Sequence, residues 1–222
     1  MVPKPNDPCK LRMVVDYRAI NALTQSDRYP LPDITTMMQQ MQGKRVFSTV
    51  DLLWGFWQIP MLEEHKERTA MTTQQFGAFE WNCLQMGLKN SPSIFQRGMQ
   101  ELLRDLDFCQ VYIDDIIVYL DTPEEHFHHL RVLFASRLRQ AKVLAKGTKA
   151  KLFRTSCDFL GHVIGAEGIA SAEKGRGRCQ MAYPSFHNRH PGLPRISRVL
   201  SKIRLPILGP RHSTQRVIKR QS

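Results

Sequence analysis

The stretch Phe108-Cys109-Gln110-Val111-Tyr112-Ile113-Asp114-Asp115-Ile116-Ile117-Val118-Tyr119-Leu120 sets two acidic residues between two strongly β-forming apolar runs. The pattern predicts strand, two-residue turn, strand, with Asp114-Asp115 at the tip, because Asp accepts turn dihedrals and the flanks alternate as strands do. The apolar flanks would seat the hairpin in a core and leave both carboxylates projecting from its end. Adjacent like charges repel, so a compensating cation is expected. Mg2+ suits that task, since it takes one or two carboxylates and keeps its other positions for water and phosphate. An exposed acidic turn is the alternative reading of these residues alone.

A second acidic position favours the metal. In Arg45-Val46-Phe47-Ser48-Thr49-Val50-Asp51, the residues before Asp51 alternate as a strand, and Asp51 falls where that strand ends. One carboxylate at a strand end, a carboxylate pair on a later hairpin and phosphate as third partner make a two-metal site for in-line displacement at phosphorus.

Around these two stretches the chain predicts alternating elements. Lys10 to Tyr17 reads as a strand, and Pro30 to Gly43 as a short helix with Ile34, Met37, Met38 and Met41 on one face and Gly43 as its stop. Glu63 to Arg68 reads as a polar loop and Thr69 to Trp81 as extended. Asn90-Ser91-Pro92 caps a helix carrying Phe95, Met99, Leu102, Leu103 and Leu106 inward. After the acidic hairpin, Thr122-Pro123-Glu124-Glu125 is a capping box that opens a helix with apolar face Phe127, Leu130, Phe134, Leu138 and Ala141. On that helix His126 and His129 are expected to face solvent rather than bind metal, and Trp54 and Trp57 to pack in the core. Strand, helix, hairpin, helix, strand is an α+β layer arrangement.

Six runs, in order, resemble the reverse transcriptase of Gypsy-type LTR retrotransposons. They are Arg12 to Asn21, Tyr29-Pro30-Leu31-Pro32, Phe47 to Ile59, Met86-Gly87-Leu88-Lys89-Asn90-Ser91-Pro92-Ser93-Ile94-Phe95-Gln96-Arg97, Val111 to Asp115, and Phe159-Leu160-Gly161-His162-Val163-Ile164. The resemblance implies a right-hand polymerase palm, an antiparallel sheet backed by helices, with partial fingers. It places partial fingers at 1–27, palm with the first metal-binding Asp at 28–60, a returning fingers segment at 61–90, and palm with both hairpins at 91–174.

The resemblance also implies roles. Asp51 and Asp114 would bind two Mg2+ ions, with Mn2+ as a substitute, assisted by Asp115 and the backbone carbonyl of Leu52. One ion would lower the pKa of the primer 3′-hydroxyl and the other would neutralise the dNTP triphosphate. Lys4 and Arg12 would hold the triphosphate. Trp54, Gly55, Phe56, Met86 and Gly87 would line the nucleotide, with Phe56 closing against a ribose 2′-hydroxyl. Asn90, Ser91, Pro92, Gln96 and Tyr112 would lie against the template and the incoming base, and Leu160, Gly161 and His162 would hold the primer end. Lys149, in Lys149-Ala150-Lys151-Leu152-Phe153, would protonate leaving pyrophosphate. The partners implied are an RNA or DNA template with its primer and dNTPs, in an intracellular setting.

Two departures stand out: Gln85 where Pro usually precedes the Met86-Gly87 turn, and Trp54 and Trp57 where smaller or polar residues are usual. The chain starts close to the Lys-Pro-Asn run, so much of the fingers is expected to be missing, and thumb, RNase H, protease and integrase segments are expected to be absent as well. A catalytically inactive retroelement relic that at most binds nucleic acid is therefore the alternative function.

Charge sits in one place. The formal charge is +12, but residues 175–222 contain eleven Lys or Arg and no Asp or Glu, leaving +1 for residues 1–174. Codons offer an origin for this tail: Met181-Ala182-Tyr183-Pro184 can be written ATG GCC TAC CCC, which one base later reads Trp-Pro-Thr-Pro, a run the family carries there. Residues 175–222 are thus expected to be a frameshifted, disordered basic tail. The cysteines Cys9, Cys83, Cys109, Cys157 and Cys179 show no Cys-x-x-Cys spacing and read as reduced thiols rather than a zinc site. No apolar stretch reaches the ~18 residues of a membrane span.

Overall fold

The computed structural model describes residues 2–4, 7–12, 14–74 and 77–171; the basic tail at 175–222 lies outside the described residues. Strands β1 (Val2–Lys4) and β2 (Asp7–Arg12) pair antiparallel. The strand expected over Lys10 to Tyr17 therefore ends earlier, and helix α1 (Arg18–Leu23) follows. Helix α2 (Ile34–Met41) starts where Asp33 accepts the Thr36 amide at 2.8 Å, and it buries Met37, Met38 and Met41. Strand β3 (Val46–Asp51) leads into a 3-10 turn (Gly55–Gln58). Glu63 to Arg68 is not a loop: helix α3 (Glu63–Lys66) and a further 3-10 turn (Glu67–Thr69) occupy it, because Glu63 and Glu64 in the first turn and Lys66 in the last suit the helix dipole. Beyond it β4 (Met71–Thr73) and β5 (Gly77–Phe79) form the extended hairpin.

Helix α4 (Ser91–Leu103) carries Pro at its first turn and presents Phe95, Met99 and Leu103 at four-residue spacing, all buried. Strands β6 (Cys109–Tyr112) and β7 (Asp115–Leu120) make the acidic hairpin. Helix α5 (Pro123–Arg131) continues through a π-helical stretch (Val132–Leu138) into α6 (Arg139–Ala141). Its predicted capping box is incomplete: Thr122 Oγ1 meets Glu125 Oε2 at 3.1 Å instead of a backbone N–H. Phe127, expected inside, is exposed, while Leu130, Leu138 and Ala141 are buried, since the inward stripe runs through His126 and Leu130. Strands β8 (Lys151–Arg154), β9 (Ser156–Phe159), β10 (His162–Gly165) and β11 (Gly168–Ser171) follow.

The central sheet is antiparallel with strand order β6-β7-β3-β8. Ile116, Ile117, Val118 and Tyr119 are all buried because both faces of β7 are covered. Ile116 and Val118 pack with Phe95, Met99 and Leu103 of α4 and with Leu130, Leu133 and Leu138. Ile117 and Tyr119 pack with Met37, Met38 and Met41 of α2 and with Phe159 and Ile164 of the second sheet, ordered β11-β10-β9. A third cluster of Tyr17, Met61, Leu84, Leu88 and Ile94 roots the segments before and after the β4-β5 hairpin.

His126 is 0% exposed, against the expectation that it faces solvent. It lies on the inward side of α5, where its Nε2 and Ser48 Oγ share a 2.7 Å hydrogen bond, and Ser48 Oγ also accepts the Phe153 amide at 3.0 Å. His129 is likewise drawn in, stacked on Phe108 with ring centroids 3.9 Å apart.

Candidate active site

Register brings the carboxylates together. Asp51 ends β3, Asp115 begins β7, and the two are direct partners across the antiparallel pair. The hairpin turn is Ile113-Asp114 rather than Asp114-Asp115, since Tyr112 pairs with Asp115. Ile113 has φ +53, a left-handed conformation that a β-branched residue rarely adopts. The turn is held from inside: Gln96, 0% exposed, donates to Val111 O at 2.9 Å and accepts the Ile113 amide at 2.6 Å. Asp114 O accepts the Leu52 amide at 2.9 Å, which ties the tip to the end of β3.

The carboxylates act on one another. Burial pushes Asp115 up to about 6, with the charges of Asp114 and Asp51 adding to it. Asp114 is raised by burial first, and the Asp51 charge works in the same direction. Lys149 Nζ sits 2.5 Å from Asp51 Oδ2, and that hydrogen bond raises the Lys149 pKa. The segment bearing Lys149 is fixed independently, because the Lys146 amide donates to Asp51 O at 2.8 Å and the Lys149 amide to Lys146 O at 3.0 Å.

Among the described residues no three His, Cys, Asp or Glu side chains already converge as a preformed metal cluster. The donor set still fits a hard cation of the Mg2+ type, which takes one or two carboxylates and completes its shell with water and substrate phosphate. Three mutually repelling carboxylates with an ammonium already on one of them are the environment such a cation relieves.

The residues after Asp51 turn sharply. Trp54 has φ +62 and Gly55 φ +37. Trp54 is 59% and Trp57 42% exposed, so neither belongs to the core as expected. The 3-10 turn has a three-residue period that puts positions 54 and 57 on the same outward face, while Gly55 and Gln58 turn in. Phe56 lies edge-on to Phe95 with centroids 5.5 Å apart. Trp57 stacks on Trp81 and donates to Gln85 Oε1 at 3.2 Å, so two of the departures noted in the sequence bond to each other.

Other predicted residues spread over several elements. Met86 is exposed at a turn whose Gly87 has φ +92, and Gly87 O accepts the Asn21 side-chain amide at 2.7 Å. Asn90 and Ser91 are buried and engaged internally, Asn90 with Gln25 O and the Asp27 amide and Ser91 with Gln85 O. With Gln96 they are supports beneath the surface, whereas Pro92 and Tyr112 stay partly exposed. Leu160 and Gly161, both at positive φ, form the β9-β10 turn, and His162 Nδ1 donates to Leu160 O at 3.0 Å. Lys4 and Arg12 lie on the backbone of the β1-β2 hairpin.

Sequence reasoning missed Gln58, which is buried, donates to Leu144 O at 3.0 Å and accepts the Leu144 amide at 2.8 Å, locking the loop before Lys149 to the turn after Asp51. It also missed the Arg97–Asp27 ion pair at 2.5 Å. A lone amide between Trp57 and Ile59 was the available signal for Gln58.

The fold agrees with comparisons to known proteins. A retrovirus-related Pol polyprotein from transposon opus of Drosophila melanogaster is 39% identical over 186 residues, which is 82% of this chain and 18% of that protein. The enzymatic polyprotein of Figwort mosaic virus (strain DxS) is 42% identical over 153 residues, 68% of this chain and 23% of that one. The chain thus spans about a fifth of the length of these curated relatives. Among solved structures, the foamy viral protease-reverse transcriptase in complex with double-stranded DNA superposes with a TM-score of 0.71 at 32% identity, covering 77% of this chain and 29% of that one. The same protein with an RNA/DNA hybrid gives 0.69 at 30% identity over 77% and 22%. The family described as "Reverse transcriptase (RNA-dependent DNA polymerase)" matches residues 2–164, and with the α+β polymerase fold around Asp51, Asp114 and Asp115 the chain belongs to that family.

Proposed function

We propose that the chain is the RNA-directed DNA polymerase domain of a Gypsy-type retrotransposon polyprotein, with Asp51, Asp114 and Asp115 as its metal-binding catalytic residues. The observation that carries this reading is the register that sets Asp51 opposite Asp115 with Asp114 in the adjoining turn. Two Mg2+ ions bound there would supply activation of the primer 3′-hydroxyl and neutralisation of the triphosphate. The Leu52 carbonyl would add a neutral oxygen. Asp51 and Asp114 would orient the reacting groups, and Lys149 would donate a proton to departing pyrophosphate.

Lys4 and Arg12 would grip the triphosphate, while Gly55, Phe56, Met86 and Gly87 shape the nucleotide pocket. The exposed Trp54 ring offers a face to the nucleotide. Pro92 and Tyr112 would meet template and base, and Leu160, Gly161 and His162 the primer end. Residues 28–60 and 91–174 make the palm, 1–27 and 61–90 the fingers. Structures of relatives holding DNA or RNA/DNA hybrid support a primer-template as partner.

The test is extension of a DNA primer on an RNA template in Mg2+ and in Mn2+. Asp51→Asn and Asp114→Asn are each expected to lower extension by more than about 100-fold, above the loss from removing an outer partner of a metal. If the unmodified chain extends nothing with either metal while still binding primer-template, the relic reading replaces this one.

A further inference from the structure

We propose that Lys149 is an internal counter-cation for Asp51, exchanged for the divalent metal when the site loads. The inference rests on the reading of Asp51 as a metal-binding residue and concerns what occupies that carboxylate beforehand. Lys149 Nζ lies 2.5 Å from Asp51 Oδ2, on the carboxylate that would receive an incoming cation. Both side chains keep solvent access, 57% for Lys149 and 27% for Asp51. An ion pair this open is weak, and Lys is a compact point charge on a flexible stem, so it is readily surrendered to a dication.

The backbone permits the exchange without remodelling. The Lys146 amide on Asp51 O, the Lys149 amide on Lys146 O, and the Gln58 clamp on Leu144 hold the segment in place whether or not the ammonium stays. Metal loading then changes only the Lys149 side chain, which swings away from the carboxylates on a fixed pivot. Without nucleotide, Lys149 holds metal affinity down by competing for the same carboxylate. Lys151 provides an internal control, because it sits in the neighbouring strand β8 and pairs with Asp158 at 3.0 Å instead of Asp51.

The experiment is titration of the full chain with Mn2+, free of nucleotide and nucleic acid, following the unbound ion by electron paramagnetic resonance. Lys149→Met is expected to tighten Mn2+ binding about threefold to fivefold, the upper part of what an exposed ion pair is worth, while Lys149→Arg stays near the original affinity and Lys151→Met changes it less than about twofold. In parallel, acetylation of Lys149 by a succinimidyl ester, read by peptide mass spectrometry, should rise severalfold on adding Mg2+ while that of Lys151 does not. If Asp51→Asn abolishes Mn2+ binding but Lys149→Met binds no tighter than Lys151→Met, or if Lys149 acetylation ignores Mg2+, the exchange is overturned and the metal site stands. If no Mn2+ binds, or Asp51→Asn binds it unchanged, the metal assignment falls and the exchange with it.

Discussion

His126 has no solvent exposure, and burial lowers its pKa from the ordinary 6.5 to about 4, with the neighbouring His129 adding to the shift. As pH falls below 6.5 the unfolded chain takes up a proton that the folded chain refuses. The His126 contribution is therefore complete above about pH 6.5 and lost progressively toward pH 4, worth roughly 3 kcal/mol in all. Asp115, raised to about 6, works in the opposite direction over an overlapping window, so the His126 part must be read as a difference. Urea denaturation at pH 7.5 and 5.0 should show the original protein losing more stability on acidification than His126→Gln, which keeps a polar partner for Ser48 but does not titrate. At Phe56 the expected readout is sugar selectivity. Phe56→Val should raise the ratio of ribonucleotide to deoxyribonucleotide kcat/KM about 10- to 100-fold, since a shape barrier yields factors of that order.

At the scale of elements, the acidic hairpin depends on helix α4 through one side chain. Gln96→Ala would leave the Ile113 amide and the Val111 carbonyl without their partner beneath a turn already in a rare conformation. Thermal denaturation should show a loss of about 1–3 kcal/mol, and primer extension should fall more steeply than binding of primer-template, because the turn positions Asp114. Strand β3, the hairpin and helices α2 and α4 were legible in the sequence from their apolar periods, although α2 begins at Ile34 rather than Pro30, and Asn90 turns its side chain to Gln25 O and the Asp27 amide instead of capping α4. The placements of Trp54, Trp57 and His126 were not. A 3-10 turn replaces the period of 3.6 by one of 3, which moves Trp54 and Trp57 outward together. A polar residue on an inward stripe, as His126 is, can be recognised as buried only once its partner on another strand, Ser48, is known. Similarly, the two-residue turn is displaced by one position because pairing of Tyr112 with Asp115 outweighs the preference of Asp for turns.

For the whole molecule, the formal charge is concentrated in one segment of the sequence. With +1 on residues 1–174 and +11 on residues 175–222, removal of the latter should weaken binding to any duplex and flatten the slope of log affinity against log salt, leaving the dependence of extension on Asp51 intact. Binding at 50 and 200 mM salt to duplexes of unrelated sequence checks this. A slope unchanged by truncation would locate the grip in the folded part instead.

The ladder between β3 and β7 runs without interruption from Val46–Leu120 to Asp51–Asp115, most of its inner residues are buried, and Asp51 and Asp115 are its last rung. Amides of Phe47 to Val50 and Ile116 to Tyr119 should then be among the slowest to exchange with deuterium, at rates set by opening of the whole molecule. Asp51 and Asp115 inherit that protection. If the ladder holds its last rung, the metal-binding capacity should persist in rising denaturant until the protected amides open, which Mn2+ binding followed alongside hydrogen exchange checks.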